Sequence, residues 1–171
     1  RTCLVGSEMC IRDRDRTAVC CLSSLNLEKY DEWKDDPNMI ADVMRFLDNV
    51  LSDFINKAPD QFKDAKYSAE RERSVGLGVM GFHSFLQKKR IPLESVMAKS
   101  WNKKIFKQID EQVNQASKDL AEERGACPDA AEYGYMERFS NKTAIAPTAS
   151  ISIICGGCLL YTSDAADDSL R

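Results

Sequence analysis

Four stretches hold residue types that can do chemistry. TAVCCLSSLNL (17–27) sets Cys20 beside Cys21 ahead of a serine-rich apolar run. Neighbouring cysteines do not readily bridge each other, because disulfide geometry is specific and adjacent side chains point apart. A strand over 19–25 would turn the two thiols to opposite faces, so one can meet a site while the other packs inside. Simple packing is the other reading for either thiol, since unpaired cysteine is among the most buried residue types. APTASISII (146–154) places Thr148, Ala149, Ser150 and Ile151 just after a proline. Small hydroxyl residues and bare amides at the mouth of an element can hold a phosphate without lysine; an ordinary Ser/Thr helix cap has the same sequence.

GLGVMG (Gly76, Gly78, Gly81) matches the dinucleotide pattern G-x-G-x-x-G. That pattern needs a buried strand before it and an acidic strand end about 20 residues on. Here the charged DAKYSAERERS precedes it, and Glu94 opens a helix. Close packing of a helix on a strand is therefore the favoured account of these glycines. CGGC (Cys155 to Cys158) has thiol-disulfide spacing, but its two glycines make a poor helix start, and a zinc site would need two further ligands. His83 is the only histidine, and nothing around it reads as a metal or Ser-His-Asp site.

The elements that must position these groups are legible between the ends. Ile40, Val43, Met44, Leu47, Val50, Leu51, Phe54 and Ile55 follow the spacing of a helix with one buried stripe, expected over 37–57. Asp35 or Asp36 is its expected cap, with Pro37 in the first turn. A second long helix is expected over 93–124, on a stripe of Val96, Met97, Trp101, Ile105, Ile109, Val113, Ala116 and Leu120, stopped by Gly125. Its charged face, KKIFKQIDEQ, reads as solvated. Short strands are expected at 75–79, followed by a helix from about Met80, and at 143–146 before the turn at Pro147. Strands alternating with long helices predict an α/β fold with parallel strands.

RTCLVGSEMCIRDRDR and CLLYTSDAADDSLR share no such period and resemble translated adapter sequence. Residues 1–14 and 158–171 are accordingly set apart as non-native segments, leaving 15–157 as the patterned chain. A net charge of −3 gives no footprint for nucleic acid. No apolar run is long enough for a membrane span. Seven cysteines without a secretory signal point to a reducing, cytoplasmic compartment.

TAVCCLSSLNLEKYDEW, RERSVGLGVMGFHSFLQ, LAEERGACPDAA and FSNKTAIAPTASISIICGG, in that order, resemble the catalytic barrel of the ribonucleotide reductase large (α) subunit, most like the class I enzymes. The resemblance implies a fragment of a ten-stranded α/β barrel with the long helices outside. It implies an enzyme that reduces ribonucleoside diphosphates to 2′-deoxyribonucleotides by thiyl-radical chemistry. Cys20 falls in the family's A-[VL]-C-x-L-S strand and takes the place of one of the two reducing cysteines, leaving Cys21 to pack. Thr148, Ala149, Ser150 and Ile151 match the substrate-diphosphate loop.

The parent would use ATP and dNTP effectors, and a radical from a metal-containing small (β) subunit, or from adenosylcobalamin if class II. It would pair as an α homodimer and draw electrons from thioredoxin or glutaredoxin. No metal or cofactor is expected on this stretch itself. The family's radical-cysteine loop, N-L-C-x-E, has no counterpart in RTCLVGSEMCIRDR, and neither Cys3 nor Cys10 takes that role, so the fragment alone is expected to be inactive. Two other readings compete. One is a dinucleotide-binding oxidoreductase domain built on GLGVMG; the other is a non-enzymatic helical interaction module.

Overall fold

The computed structural model describes residues 16–156. The segments 1–14 and 158–171, with Cys3, Cys10 and Cys158, lie outside the described residues. Strand β1 (Cys21–Asn26) leads through a 3-10 turn at Leu27–Lys29 into the short helix α1 (Tyr30–Trp33). Then follow α2 (Met39–Lys57), α3 (Lys63–Glu72), β2 (Val75–Met80) and α4 (Phe82–Lys88). The 29-residue α5 (Val96–Arg124), α6 (Pro128–Glu132) and α7 (Ala149–Ile154) complete the chain.

β1 and β2 pair in parallel, with Cys21 opposite Val75 and Asn26 opposite Met80. A parallel pair needs a long crossover, and α2 and α3 supply it. The segment after Ser140 runs beside β2 on its other edge: the Val75 N–H donates to Asn141 O at 3.0 Å and the Leu77 N–H to Lys142 O at 3.0 Å. The strand expected over 143–146 is reduced to one parallel bridge, Leu77 to Thr143. The chain leaves the ladder at Ala144, whose carbonyl turns over Gly78 instead of bonding along the sheet.

Helices cover one face of this sheet. Val75, Leu77 and Val79 point into a core with Ile40, Met44, Leu47 and Leu51 of α2 and Ile105, Ile109, Val113 and Leu120 of α5. On the other face Leu22 is 46% exposed, so β1, read from sequence as buried, is covered on one side only. It also starts at Cys21 rather than 19.

The two long helices stand close to their expected spans, with different first turns. Asn38 occupies the cap position of α2, and Asp36 Oδ1 instead accepts from the Asn38 N–H at 2.9 Å, closing the turn ahead of the helix. α5 begins at Val96 because Ser95 caps it, its Oγ accepting from the Ala98 N–H at 3.1 Å. Val96 and Met97, expected on the buried stripe, are 81% and 58% exposed. The helix ends at Gly125, which has φ 88°.

One carboxylate ties these parts together. Asp48, on the buried stripe of α2, is fully buried. Its Oδ1 accepts from Arg73 Nη2 at 2.7 Å and Arg138 Nε at 2.9 Å, and its Oδ2 from Arg124 Nη1 at 2.8 Å. Arg73 has a left-handed backbone, φ 44°, at the end of α3, and leads into β2. Arg124 ends α5, and Arg138 also donates to the carbonyl of Gly125 at 2.9 Å. Burial opposes ionisation of Asp48, but the hydrogen bonds from Arg138, Arg124 and Arg73 outweigh it and hold the carboxyl below its ordinary range.

Removing one member of such a cluster strands buried charge, at a cost of about 3–5 kcal/mol. Asp48→Asn is expected to lower unfolding free energy by that order, read by denaturant titration at pH 7. A depressed folded pKa contributes stability that is complete above the unfolded value near pH ~4 and is lost as pH falls through the folded value. The Asp48→Asn variant should therefore show a flatter loss of stability than the wild type on acidification below that point.

Candidate functional site

Period two places Cys20, Leu22 and Ser24 on the face of β1 opposite the helical core. The parallel register sets Leu22 beside Gly76 and Ser24 beside Gly78. A Cβ built on Gly76 would lie 2.5 Å from Leu22 Cδ2, 2.7 Å from Ala144 Cβ and 3.3 Å from Cys20 Sγ. A Cβ on Gly78 would lie 2.2 Å from the Ala144 carbonyl oxygen. The two glycines therefore make a floor onto which the Cys20 thiol and the Ala144 backbone both close. Their role is close approach, as expected, but the partners are an extended segment and β1 rather than a helix.

Cys20 and Cys21 are both thiols, not bridged to another described cysteine. The Cys20 thiol meets the carbonyl of Cys21 at 4.0 Å. Cys21 faces the other way and packs against the core cluster. Burial raises its pKa, partly offset by the Arg73 charge, which suits a packing residue better than a nucleophile. Only one of the adjacent cysteines looks onto the open face.

Four residues beyond Ala144, Thr148 takes the cap position of α7 with a left-handed backbone, φ 57°. Its side chain makes no capping bond, so the ordinary helix-cap reading of APTASISII does not describe this turn. Thr148 is 6% exposed, and its Oγ1 is buried without a hydrogen-bond partner. Ala149, Ser150 and Ile151 follow on the surface in the first turn of α7, where amides have no intrahelical acceptor. The structure thus brings Cys20 and the start of this segment together over Gly76, and sets Thr148 four residues further along it. Sequence reading missed the Ala144 contact that joins them; its signal was the alternation of glycine with valine and leucine in VGLGV.

GLGVMG does not form a dinucleotide turn. Gly76 and Gly78 lie inside β2, the element before it is α3, and Glu94 precedes the α5 cap. Of the three, Gly81 alone needs a positive φ, 75°, at the start of α4. Among the described residues no three His, Cys, Asp or Glu side chains converge as a metal site, and no helix is long and apolar enough to cross a membrane.

A parallel α/β layer, helical on one face and carrying a thiol and an unpaired hydroxyl turn on the other, defines part of an α/β enzyme domain. The chain belongs to the ribonucleotide reductase family: the family model "Ribonucleotide reductase, barrel domain" matches residues 6–136. It is 49% identical over 144 residues to the ribonucleoside-diphosphate reductase large subunit of Invertebrate iridescent virus 3, covering 84% of this chain and 22% of that protein. It is 38% identical to the vitamin B12-dependent ribonucleoside-diphosphate reductase of Thermoplasma acidophilum, covering 80% of this chain and 19% of that one. The structure is similar to the Actinobacillus ureae class Id ribonucleotide reductase alpha subunit, with a TM-score of 0.79 and 40% identity, over 84% of this chain and 28% of that one. The chain therefore spans about a fifth to a quarter of these relatives.

Gly78→Ala should force the Ala144 carbonyl off the strand, because a methyl cannot stand 2.2 Å from an oxygen. Overpacking of this kind costs about 1–3 kcal/mol. A lower thermal midpoint is expected, together with faster amide hydrogen exchange across 143–148.

Proposed function

We propose that this chain is the part of a ribonucleoside-diphosphate reductase large subunit that carries one reducing cysteine and the loop for the substrate's diphosphate. Cys20 is the reducing thiol. Thr148, Ala149, Ser150 and Ile151 hold the terminal phosphate by hydroxyls and first-turn amides. The observation that carries this reading is the shared floor: Cys20 Sγ and Ala144 both reach Gly76, four residues ahead of the unpaired, buried Thr148 hydroxyl. An anchored diphosphate would then fix the ribose relative to the thiol, and such positioning supplies much of the rate advantage in a bound reaction.

The reduction balances as two thiols and one C2′–OH giving one disulfide, one C2′–H and one water. Cys20 provides one thiol; the second belongs to a part of the subunit outside the described residues. The radical that begins the reaction comes from the parent enzyme, through a metal-containing small subunit, or adenosylcobalamin in a class II form. The class I reading is favoured by the identity to the viral large subunits and the likeness to the class Id alpha subunit.

β1, β2 and the segment at 141–144 are three neighbouring strands of a ten-stranded barrel, with α2 and α5 outside it. The remaining strands, the radical-cysteine loop, the ATP and dNTP effector sites and the α homodimer contacts belong to the rest of the subunit. Thioredoxin or glutaredoxin returns the electrons, in the cytoplasm.

In the intact large subunit with its radical source, Cys20→Ser should reduce ribonucleotide turnover to background while ribonucleoside diphosphate binding remains measurable by calorimetry. Unchanged turnover would remove Cys20 from the chemistry.

A further inference from the structure

Two buried hydroxyls among the described residues have no hydrogen-bond partner: Thr148 Oγ1 and Ser24 Oγ. The third buried orphan, Arg71 Nε, belongs to a guanidinium that already pairs with Asp129 and Glu132. Ser24 has no such compensation. An unsatisfied buried polar group is costly, so a partner from outside these residues is the ordinary explanation.

The register says where that partner lies. Ser24 shares the open face of β1 with Cys20 and stands beside Gly78. Four strand residues separate it from Cys20, about 13 Å along β1. The segment at 141–145 runs in the same direction as β1 and β2, passing Gly76 at Ala144 and Gly78 at Ile145. Ser24 is therefore one step beyond the thiol, on the way to Thr148. A nucleotide with its ribose at Cys20 and its terminal phosphate at Thr148 would lay its inner phosphate over Ser24.

We propose that the Ser24 hydroxyl contacts the substrate, donating a hydrogen bond to the α-phosphate of the bound ribonucleoside diphosphate. This rests on the phosphate-loop reading of residues 148–151. Ser24 sets the span between the two anchors: the loop grips the end of the diphosphate and Ser24 grips its root. A hydroxyl suits this position because it binds a charged oxygen without bringing a second charge next to the thiol.

The test uses the intact large subunit with its radical source, and the variants Ser24→Ala, Ser24→Thr and Thr148→Ala. Ligands are ribonucleoside diphosphates and the matching monophosphates, measured by calorimetry and by steady-state kinetics. A hydrogen bond to a charged group predicts that Ser24→Ala weakens both ligands roughly tenfold or more. KM should rise more than kcat falls, and Ser24→Thr should restore binding. The ligand-free Tm of Ser24→Ala should stay or rise, since an unpaired buried hydroxyl is removed. Thr148→Ala should weaken the diphosphate and leave the monophosphate unchanged.

Unchanged affinities in Ser24→Ala would overturn the proposal. So would weakening of the diphosphate alone, which would move the contact off the α-phosphate. A fall in ligand-free Tm that Ser24→Thr does not rescue would mark a structural role and overturn it too. Undiminished diphosphate binding in Thr148→Ala would instead defeat the loop reading, and monophosphate binding by the Ser24 variants would still decide the Ser24 contact.

Discussion

Three guanidinium groups, Arg73, Arg124 and Arg138, converge on the carboxylate of Asp48 in the middle of α2. The arithmetic of charge leaves two positive charges beside a buried group, a costly arrangement if each arginine had only the carboxylate to bond. They have more: Arg73 also donates to the Asp48 carbonyl and Ser52 Oγ, and Arg138 to the last carbonyls of α5. Arg124 stays partly in water and takes Asn49 as well. Each cation is thus spread over neutral oxygens as well as the anion. What the cluster fixes is topology, because its members stand at the entry to β2, at the end of α5 and at the approach to Thr143. With those junctions held, the order of the sheet follows.

From that frame the two faces of the sheet separate by chemistry. Branched residues of β2 go down into the helices, and the glycines between them face up. Nothing larger than glycine fits there, since Leu22, Cys20 and the Ala144 backbone already occupy the space. The upper face is therefore paved with backbone and small side chains, and its polar atoms are a thiol and two hydroxyls with no bonds to each other. This arrangement awaits covering by the rest of the barrel and by substrate. Parallel strands with one bare face and unpaired edges are not a finished fold.

Much of the helical layer was legible from spacing alone, because α2 and α5 each keep one apolar stripe. The errors have physical causes. Val96 and Met97 obey the period yet lie outside the core, since the 29-residue α5 outruns the 19-residue α2 that covers it. The short strand at 143–146 has the right composition, but Ala144 turns its carbonyl onto Gly78 and the ladder stops. Asp48 was visible as a lone acid on the stripe between Met44 and Leu51. Its three partners stand 25, 76 and 90 residues away, and no local pattern announces them. For the site, motif resemblance supplied Cys20 and Thr148 as separate residues. That both belong to elements meeting over one glycine is a property of the register, which no single stretch encodes.

The Gly78 contact has one more consequence. Where a carbonyl oxygen rests on the α-carbon of a neighbouring strand, the gap between the two chains is a bond-length quantity. Rotamers cannot widen it, and thermal breathing of side chains leaves it alone. The loop that follows is thus metered from the thiol by peptide links, like a jaw whose opening is cut into the metal rather than set by a screw.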